Sequence, residues 1–349
     1  MSVDLSVVEG DYFRDLLSQP DALRDTIEQL SASKELQSLT SRLQKRKFKV
    51  VVLTGMGSSF HGLNPLLLQL TNAGFPVMLV ETSELVYYRR QLLNADSLVV
   101  AVSQSGRSAE MGRLLKENRG RASIIAVTNT PGSPLARRSN AVVLTRAGEE
   151  FSVSCKTYVC ALLALKFLGD QFCDMSRART SKELRAIIPP VAHYLAGWKA
   201  HVESVLPRLA GVRQLFLVGR GPSLAAVGTG ALILKESTQF PAEGLSSAAF
   251  RHGPFEMVGA ESFVLVFAGD TKTRSLNQHL LQDIRTNDGL AEIVSQGPGE
   301  CPFCLPKAPP SLLPVLEILP VQMLTLALAA INGREPGKFR LASKITTTE

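Results

Sequence analysis

Phe48-Lys49-Val50-Val51-Val52-Leu53-Thr54-Gly55-Met56-Gly57-Ser58-Ser59 opens on β-branched and apolar residues and closes on two glycines and two hydroxyls. The run predicts a buried strand over Phe48–Leu53, and the apolar spacing beyond it predicts a helix reaching Leu70. Strand, glycine turn and helix, in that order, leave free backbone N–H groups at the head of the helix, where an anion is stabilised. Gly57 permits close approach, and Ser58 and Ser59 add neutral donors. No lysine follows, so this is not a Walker loop. Phe60 stands where a dinucleotide fingerprint has its third glycine, which argues against a nicotinamide-binding protein.

The pattern continues outward. Val77–Val80 reads as a second strand, Ser83–Leu93 as a helix and Ser97–Val102 as a third strand. That strand runs straight into Ser103-Gln104-Ser105-Gly106-Arg107-Ser108. Ser103, Gln104, Ser105 and Ser108 then sit at a strand's C-terminal end, where parallel α/β sheets bind ligands, and such donors suit a phosphomonoester. Ser123–Val127 and Ala141–Leu144 complete five strands. Glu149 and Glu150 precede Val153-Ser154-Cys155-Lys156-Thr157-Tyr158, which opens an apolar helix reaching Leu168. Ser154 and Lys156 either close over the same phosphate or form a charged capping turn.

Asp170–Pro190 is charged, ends in two prolines and reads as a linker with a connecting helix. The pattern then restarts. Gln214–Ser223 repeats strand, Gly-x-Gly, Ser and helix, an internal repeat. Further strands fall at Ser262–Phe267 and Ala291–Val294, with a helix over Thr271–Thr286 between them. A Pro- and Gly-rich loop (Ser295–Pro314) and a helix (Val315–Asn332) follow. The expected fold is α/β: two doubly wound parallel sheets in tandem, three-layer αβα and flavodoxin-like. The expected divisions are 1–46 (helices, with a break at Pro20), 47–175, 176–332 and a tail, 333–349.

Within the second repeat, a helix over Leu224–Gln239 carries Glu236 near its end and Pro241 stops it. A polar loop, Ala242–Arg251, then leads to His252. A carboxylate and an imidazole can move a proton on and off carbon beside a carbonyl. By residue type alone the same two side chains also suit a solvated helix end and a structural histidine, and Lys344 a solvated terminal charge.

The 349 residues carry a net charge of +7, 45% hydrophobic and 20% charged residues, as a folded globular protein does. The basic residues are scattered, without a helix-turn-helix, zinc-finger or RNP pattern, so an anionic small molecule is expected rather than nucleic acid. No secretory signal is evident at the N-terminus. The longest apolar stretch, about Val321–Ile331, is too short to span a bilayer. A cytoplasmic protein with five reduced cysteines is expected. Cys301-Pro302-Phe303-Cys304 lacks the further ligands of a zinc site and the helix start of a thioredoxin-like site. Neither metal nor cofactor is expected.

Several motifs together resemble the sugar isomerase (SIS) family: Gly57-Ser58-Ser59, Ser103-Gln104-Ser105-Gly106, Val153-Ser154-Cys155-Lys156-Thr157, Leu234-Lys235-Glu236, Arg251-His252-Gly253-Pro254 and Lys344-Ile345-Thr346. The likeness covers nearly everything from residue 47 on. It is to double-domain members, among them the isomerase half of glucosamine-6-phosphate synthase, amino-sugar phosphate deaminases and fructosamine phosphate deglycases. The resemblance implies that Ser58, Ser59, Ser103, Gln104, Ser105 and Ser108 hold a sugar phosphate, with Gly57, Val153, Ser154 and Lys156 nearby. It implies that Glu236 shuttles a proton between C1 and C2, and that His252 assists ring opening from the neighbouring subunit of a homodimer. Lys344, on a closing tail, would cover the substrate or form an imine with it.

The implied activity is that of a sugar-phosphate isomerase, deaminase or deglycase on a 6-phosphorylated ketose or amino sugar. A non-catalytic phosphosugar-binding regulator is the alternative. Ser2 follows Met1 and the first cysteine is Cys155, so a glutamine-hydrolysing domain is not expected. Thr229 and Ile233 stand where synthases carry Glu and Lys, which removes a cation beside the base. Arg107 stands where Glu is usual, and the segment from Glu150 to Lys156 is one residue short.

Overall fold

The computed structural model describes residues 3–298, 301–341 and 343–346. Among them, β1 (Val50–Gly55), β2 (Val77–Glu81), β3 (Ser97–Val102), β4 (Ser123–Thr128) and β5 (Ala141–Leu144) form one parallel sheet in the order β2-β1-β3-β4-β5. A second parallel sheet is built from β6 (Gln214–Gly219), β7 (Ala242–Ser246), β8 (Ser262–Phe267), β9 (Leu290–Gln296) and β10 (Cys304–Leu305). Its order is β7-β6-β8-β9-β10. Renumbered within each sheet, both orders are 2-1-3-4-5, the doubly wound flavodoxin-like arrangement. Every residue of the third strand of each sheet, β3 and β8, is buried, as strands covered by helices on both faces require.

The chain divides into two compact units. The first-sheet unit comprises 21–150, 156–185 and the residues from Leu341 on; the second-sheet unit comprises the residues up to Pro20, 151–155 and 186–340. The expected N-terminal block of 1–46 is therefore not one element. Helix Lys34–Gln44 packs on helix Lys156–Phe172 in the first-sheet unit. Helix Asp11–Leu17 belongs to the second-sheet unit, where Phe13 meets Trp198 edge-on at 4.6 Å. Gln19 donates there to Gln322 at 2.9 Å.

Other expectations need correction. Ala242–Arg251 is not a polar loop: it forms β7 and the helix Ser247–Arg251. β7 reads Ala-Glu-Gly-Leu-Ser, without a β-branched residue, and its glycine has a packing cause. A Cβ on Gly244 would lie 2.6 Å from the Val227 carbonyl oxygen, so only glycine lets helix Leu224–Thr238 lie against this edge strand. Pro189 and Pro190 do not close a linker. They occupy the first turn of helix Ile188–Ala196, where proline costs no hydrogen bond.

Cys301 and Cys304 are joined as a disulfide, with Cα atoms 5.2 Å apart. Cys155, Cys160 and Cys173 form no disulfide. The short Cys301–Cys304 loop leads into β10, which pairs with β9. Contrary to the expectation from Val321–Ile331 alone, the apolar run near the C-terminus is not too short to span a bilayer: it extends over the whole helix Leu313–Ile331, long and apolar enough by length and composition, but Leu313–Ala330 are buried within the protein.

That helix carries Glu317, which accepts from Ser223 Oγ at 2.7 Å. Burial, aided by the charge of Asp270 and opposed by the Ser223 hydrogen bond, pushes its carboxyl up to about 8. From about pH 4.5 to about 8 the unfolded chain has lost this proton while the folded chain keeps it, so stability declines as pH rises across that window. The contribution is on the order of 3–5 kcal/mol. Thermal unfolding should show Glu317→Gln losing much less stability than the wild type across this range. Parallel decline in both proteins would contradict the assignment.

Candidate active site

β1 has β2 on one side and β3 on the other. The chain leaves β1 towards one neighbour and returns to the other, so the segments after β1 and β3 diverge and open a crevice at the sheet's C-terminal edge. The two sequence-predicted turns lie here side by side. After β1, Met56 is extended, Gly57 has φ +53°, and Ser58 and Ser59 lie in the short helix Gly57–His61. A Cβ on Gly55 would sit 3.1 Å from the Val102 carbonyl oxygen at the end of β3, which measures how closely the strand ends approach.

The second turn is braced by its own hydroxyls. Ser103 Oγ accepts from Gly106 N at 3.1 Å, and Ser105 Oγ accepts from Arg107 N at 3.2 Å. Ser108 Oγ accepts from Met111 N at 3.4 Å, capping helix Ala109–Asn118. The Gln104 carbonyl accepts from Asn129 N at 3.0 Å and Thr128 Oγ1 at 3.1 Å. An accepting hydroxyl keeps its own hydrogen to give, so these contacts fix the turn and leave its donors usable. Arg107 is exposed at the rim.

Glu150, which sequence reasoning noted only as part of an acidic pair, adds a charged cluster to the same unit. Its side chain is 1% exposed. It accepts from Thr157 N at 3.0 Å and Thr157 Oγ1 at 2.7 Å, near the start of helix Lys156–Phe172. Lys344 Nζ reaches it at 2.9 Å. Two residues on, the Thr346 carbonyl accepts from Ala109 N at 3.1 Å, immediately after Ser108. Lys344 is thereby brought beside the Ser103–Ser108 turn. The separation of 194 residues left no local signal for this pairing. Lys156 is buried in this unit, whereas Val153 (buried) and Ser154 (half-buried) fall in the 151–155 segment of the second-sheet unit.

Glu236 and His252 both occupy the second-sheet unit, on different elements. Helix Leu224–Thr238 returns from the C-terminal to the N-terminal edge of the sheet. Glu236, half-buried, lies in its last turns, shortly before Pro241 accepts from Leu215 N at the start of β6. His252 is exposed and follows β7 and helix Ser247–Arg251, beyond the C-terminal edge. Thr229 and Ile233, on the face leading to Glu236, are both buried. A separate cavity of about 540 Å³ in this unit is lined by His193, Tyr194, His201, Cys304 and Pro306 and contains none of the predicted residues.

Gly106 is the most constrained point of the second turn. Its φ is +58°, and a Cβ there would lie 2.4 Å from Ser133 Oγ. Gly106→Ala should lower stability by roughly 1–3 kcal/mol in thermal unfolding and displace the serine hydroxyls. Unchanged stability would show that the turn is less constrained than its geometry implies.

Residues 43–169 match the sequence profile of the SIS domain. A glutamine–fructose-6-phosphate aminotransferase of Symbiobacterium thermophilum is 31% identical over 96% of this chain and 58% of its own length. The chain thus spans less than three fifths of curated relatives of this kind. Among solved structures, a protein described as a phosphosugar isomerase from Silicibacter pomeroyi DSS-3 is 25% identical, with TM-score 0.78 over 93% of this chain and 99% of that one. The C-terminal domain of a glucosamine-fructose-6-phosphate aminotransferase from Francisella tularensis shares the fold, with 20% identity and TM-score 0.80 over 97% of this chain and 100% of that one. The hydroxyl-lined turns at the β1/β3 crevice fall within the matched segment, and residues 43–169 form an SIS domain.

Proposed function

We propose that the protein is a sugar-phosphate isomerase-type enzyme acting on a 6-phosphorylated ketose or amino sugar. The observation that carries this is the pairing of two hydroxyl-bearing turns at one sheet crevice with a lysine held beside them. Neutral donors and helix-head N–H groups hold a phosphate dianion without the cost of a rigid cation pair. In this reading Ser58, Ser59, Ser103, Gln104, Ser105 and Ser108 grip the phosphate, with Gly57, Val153, Ser154 and Lys156 around the sugar.

Glu236 then moves a proton between C1 and C2 through an enol or enolamine. A positioned acid–base group contributes roughly 10²–10⁴-fold. The buried Ile233 places an aliphatic group one turn before that carboxylate. His252 opens the sugar ring. Because it lies at the opposite sheet edge from Glu236, it reaches the site from a second copy, and the working form is a cytoplasmic homodimer with shared sites. Lys344 closes over the carbonyl or joins it as an imine. What leaves decides the reaction: nothing in an isomerase, ammonia in a deaminase, an amine or amino acid in a deglycase.

Glu236→Gln should abolish exchange of the C2 proton with deuterated water, lowering it by about 10²–10⁴-fold, while phosphosugar-dependent thermal stabilisation persists. Persistent exchange would remove Glu236 from its role. Stabilisation without exchange in the wild type would instead favour a sensor. A panel of 6-phosphosugars, amino-sugar phosphates and Amadori-product phosphates, scored for exchange and for released ammonia or amine, identifies the reaction.

Sharing of sites has its own test. Glu236→Gln and His252→Ala proteins, each inactive, should regain about a quarter of wild-type activity when dissociated and reassembled together, because half of the random dimers hold one intact site. A mixture no more active than its parents would contradict the shared site.

A further inference from the structure

We propose that Glu150 seats Lys344 at the crevice and takes the proton its ammonium must lose before the amine can attack a sugar carbonyl. This rests on the role given to Lys344 under Proposed function. A carboxylate almost fully removed from water is stable only when donors and a cation surround it. Glu150 is held by Thr157 N at 3.0 Å and Thr157 Oγ1 at 2.7 Å, both fixed to helix Lys156–Phe172. The carboxylate's place is thus set by the scaffold.

Lys344 comes to it. Its Nζ stands 2.9 Å from Glu150 Oε2, and its side chain is 25% exposed against 1% for Glu150. The lysine therefore keeps a solvent-facing side while its charge is paired. The tail is pinned a second time, where the Thr346 carbonyl accepts from Ala109 N. That anchor adjoins Ser108, so the geometry couples lysine placement to the turn expected to hold phosphate. Glu150 is a positioning residue and proton acceptor for Lys344 rather than a group that touches the sugar.

The step balances without any further reactant. The Glu150 carboxylate accepts a proton from the Lys344 ammonium. The freed nitrogen lone pair bonds to the carbonyl carbon, and the carbonyl π electrons move to oxygen, which takes a proton from the attacking nitrogen. The Glu150 carboxylic acid then protonates the resulting hydroxyl, water leaves, and the nitrogen lone pair closes the protonated imine. Glu150 ends ionised, as it began.

Two readouts on the full-length protein test this. In the first, unliganded protein is treated with an amine-reactive acylating reagent and Lys344 labelling is followed by mass spectrometry. Glu150→Gln and Glu150→Asp should each speed labelling roughly tenfold, since both release the ammonium. The aspartate keeps a carboxylate for Thr157, so it guards against an effect of misfolding. In the second, fructose 6-phosphate is added with borohydride to trap an imine on Lys344. Glu150→Gln should slow trapping by about 10²-fold. Unchanged labelling in both variants overturns the seating. Faster labelling with unchanged trapping overturns the proton transfer. Absence of trapping in the wild type, with faster labelling in the variants, overturns the imine and the proton transfer with it and leaves the seating standing.

Discussion

The crevice between β1 and β3 is the constraint on which the rest depends. Right-handed crossovers in a parallel sheet send the chain to opposite sides of its first strand, and only there do two neighbouring strand ends face each other without a connecting segment between them. Whatever stands at the ends of those two strands lines the crevice. In this chain it is Gly57-Ser58-Ser59 and Ser103–Ser108, one turned by a glycine at positive φ and the other braced by its own serine hydroxyls. The second sheet has the same strand order, but its equivalent turn is spent internally, with Ser223 donating to the buried Glu317. One topology thus leaves Ser58 and Ser59 partly exposed in one sheet and buries Ser223 in the other.

Burial of acids organises both units. Glu317 sits in an apolar helix with a single hydroxyl donating to it and is pushed towards its neutral form. Glu150 receives two donors from Thr157 and an ammonium from Lys344. The same residue type therefore serves as a neutral core group in one place and as an anchor for a charged tail in the other, according to the donors it meets.

Much of this was legible in the residues. β3 and β8 fall where their apolar runs placed them, since a strand covered on both faces must be apolar throughout, and the edge strand β5 falls on its own short apolar run. The two serine turns were readable because each follows such a strand directly. β7 was not, because an edge strand with a glycine required by a neighbouring helix has no apolar signature. The Glu150–Lys344 pair and the docking of the first helix beside Trp198 were also hidden, being contacts between residues far apart in sequence. The Cys301–Cys304 bond was missed because a lone CxxC in a Pro-rich loop fits no metal or redox pattern, although its spacing lets the two Cα atoms approach to 5.2 Å.

The most direct measurement is a crystal structure of the protein with a ketose 6-phosphate bound. The account predicts phosphate oxygens within hydrogen-bonding distance of the Ser58–Ser59 and Ser103–Ser108 turns, with the carbonyl end of the sugar towards Lys344. A phosphate bound elsewhere, making no contact with those serine hydroxyls, would contradict it.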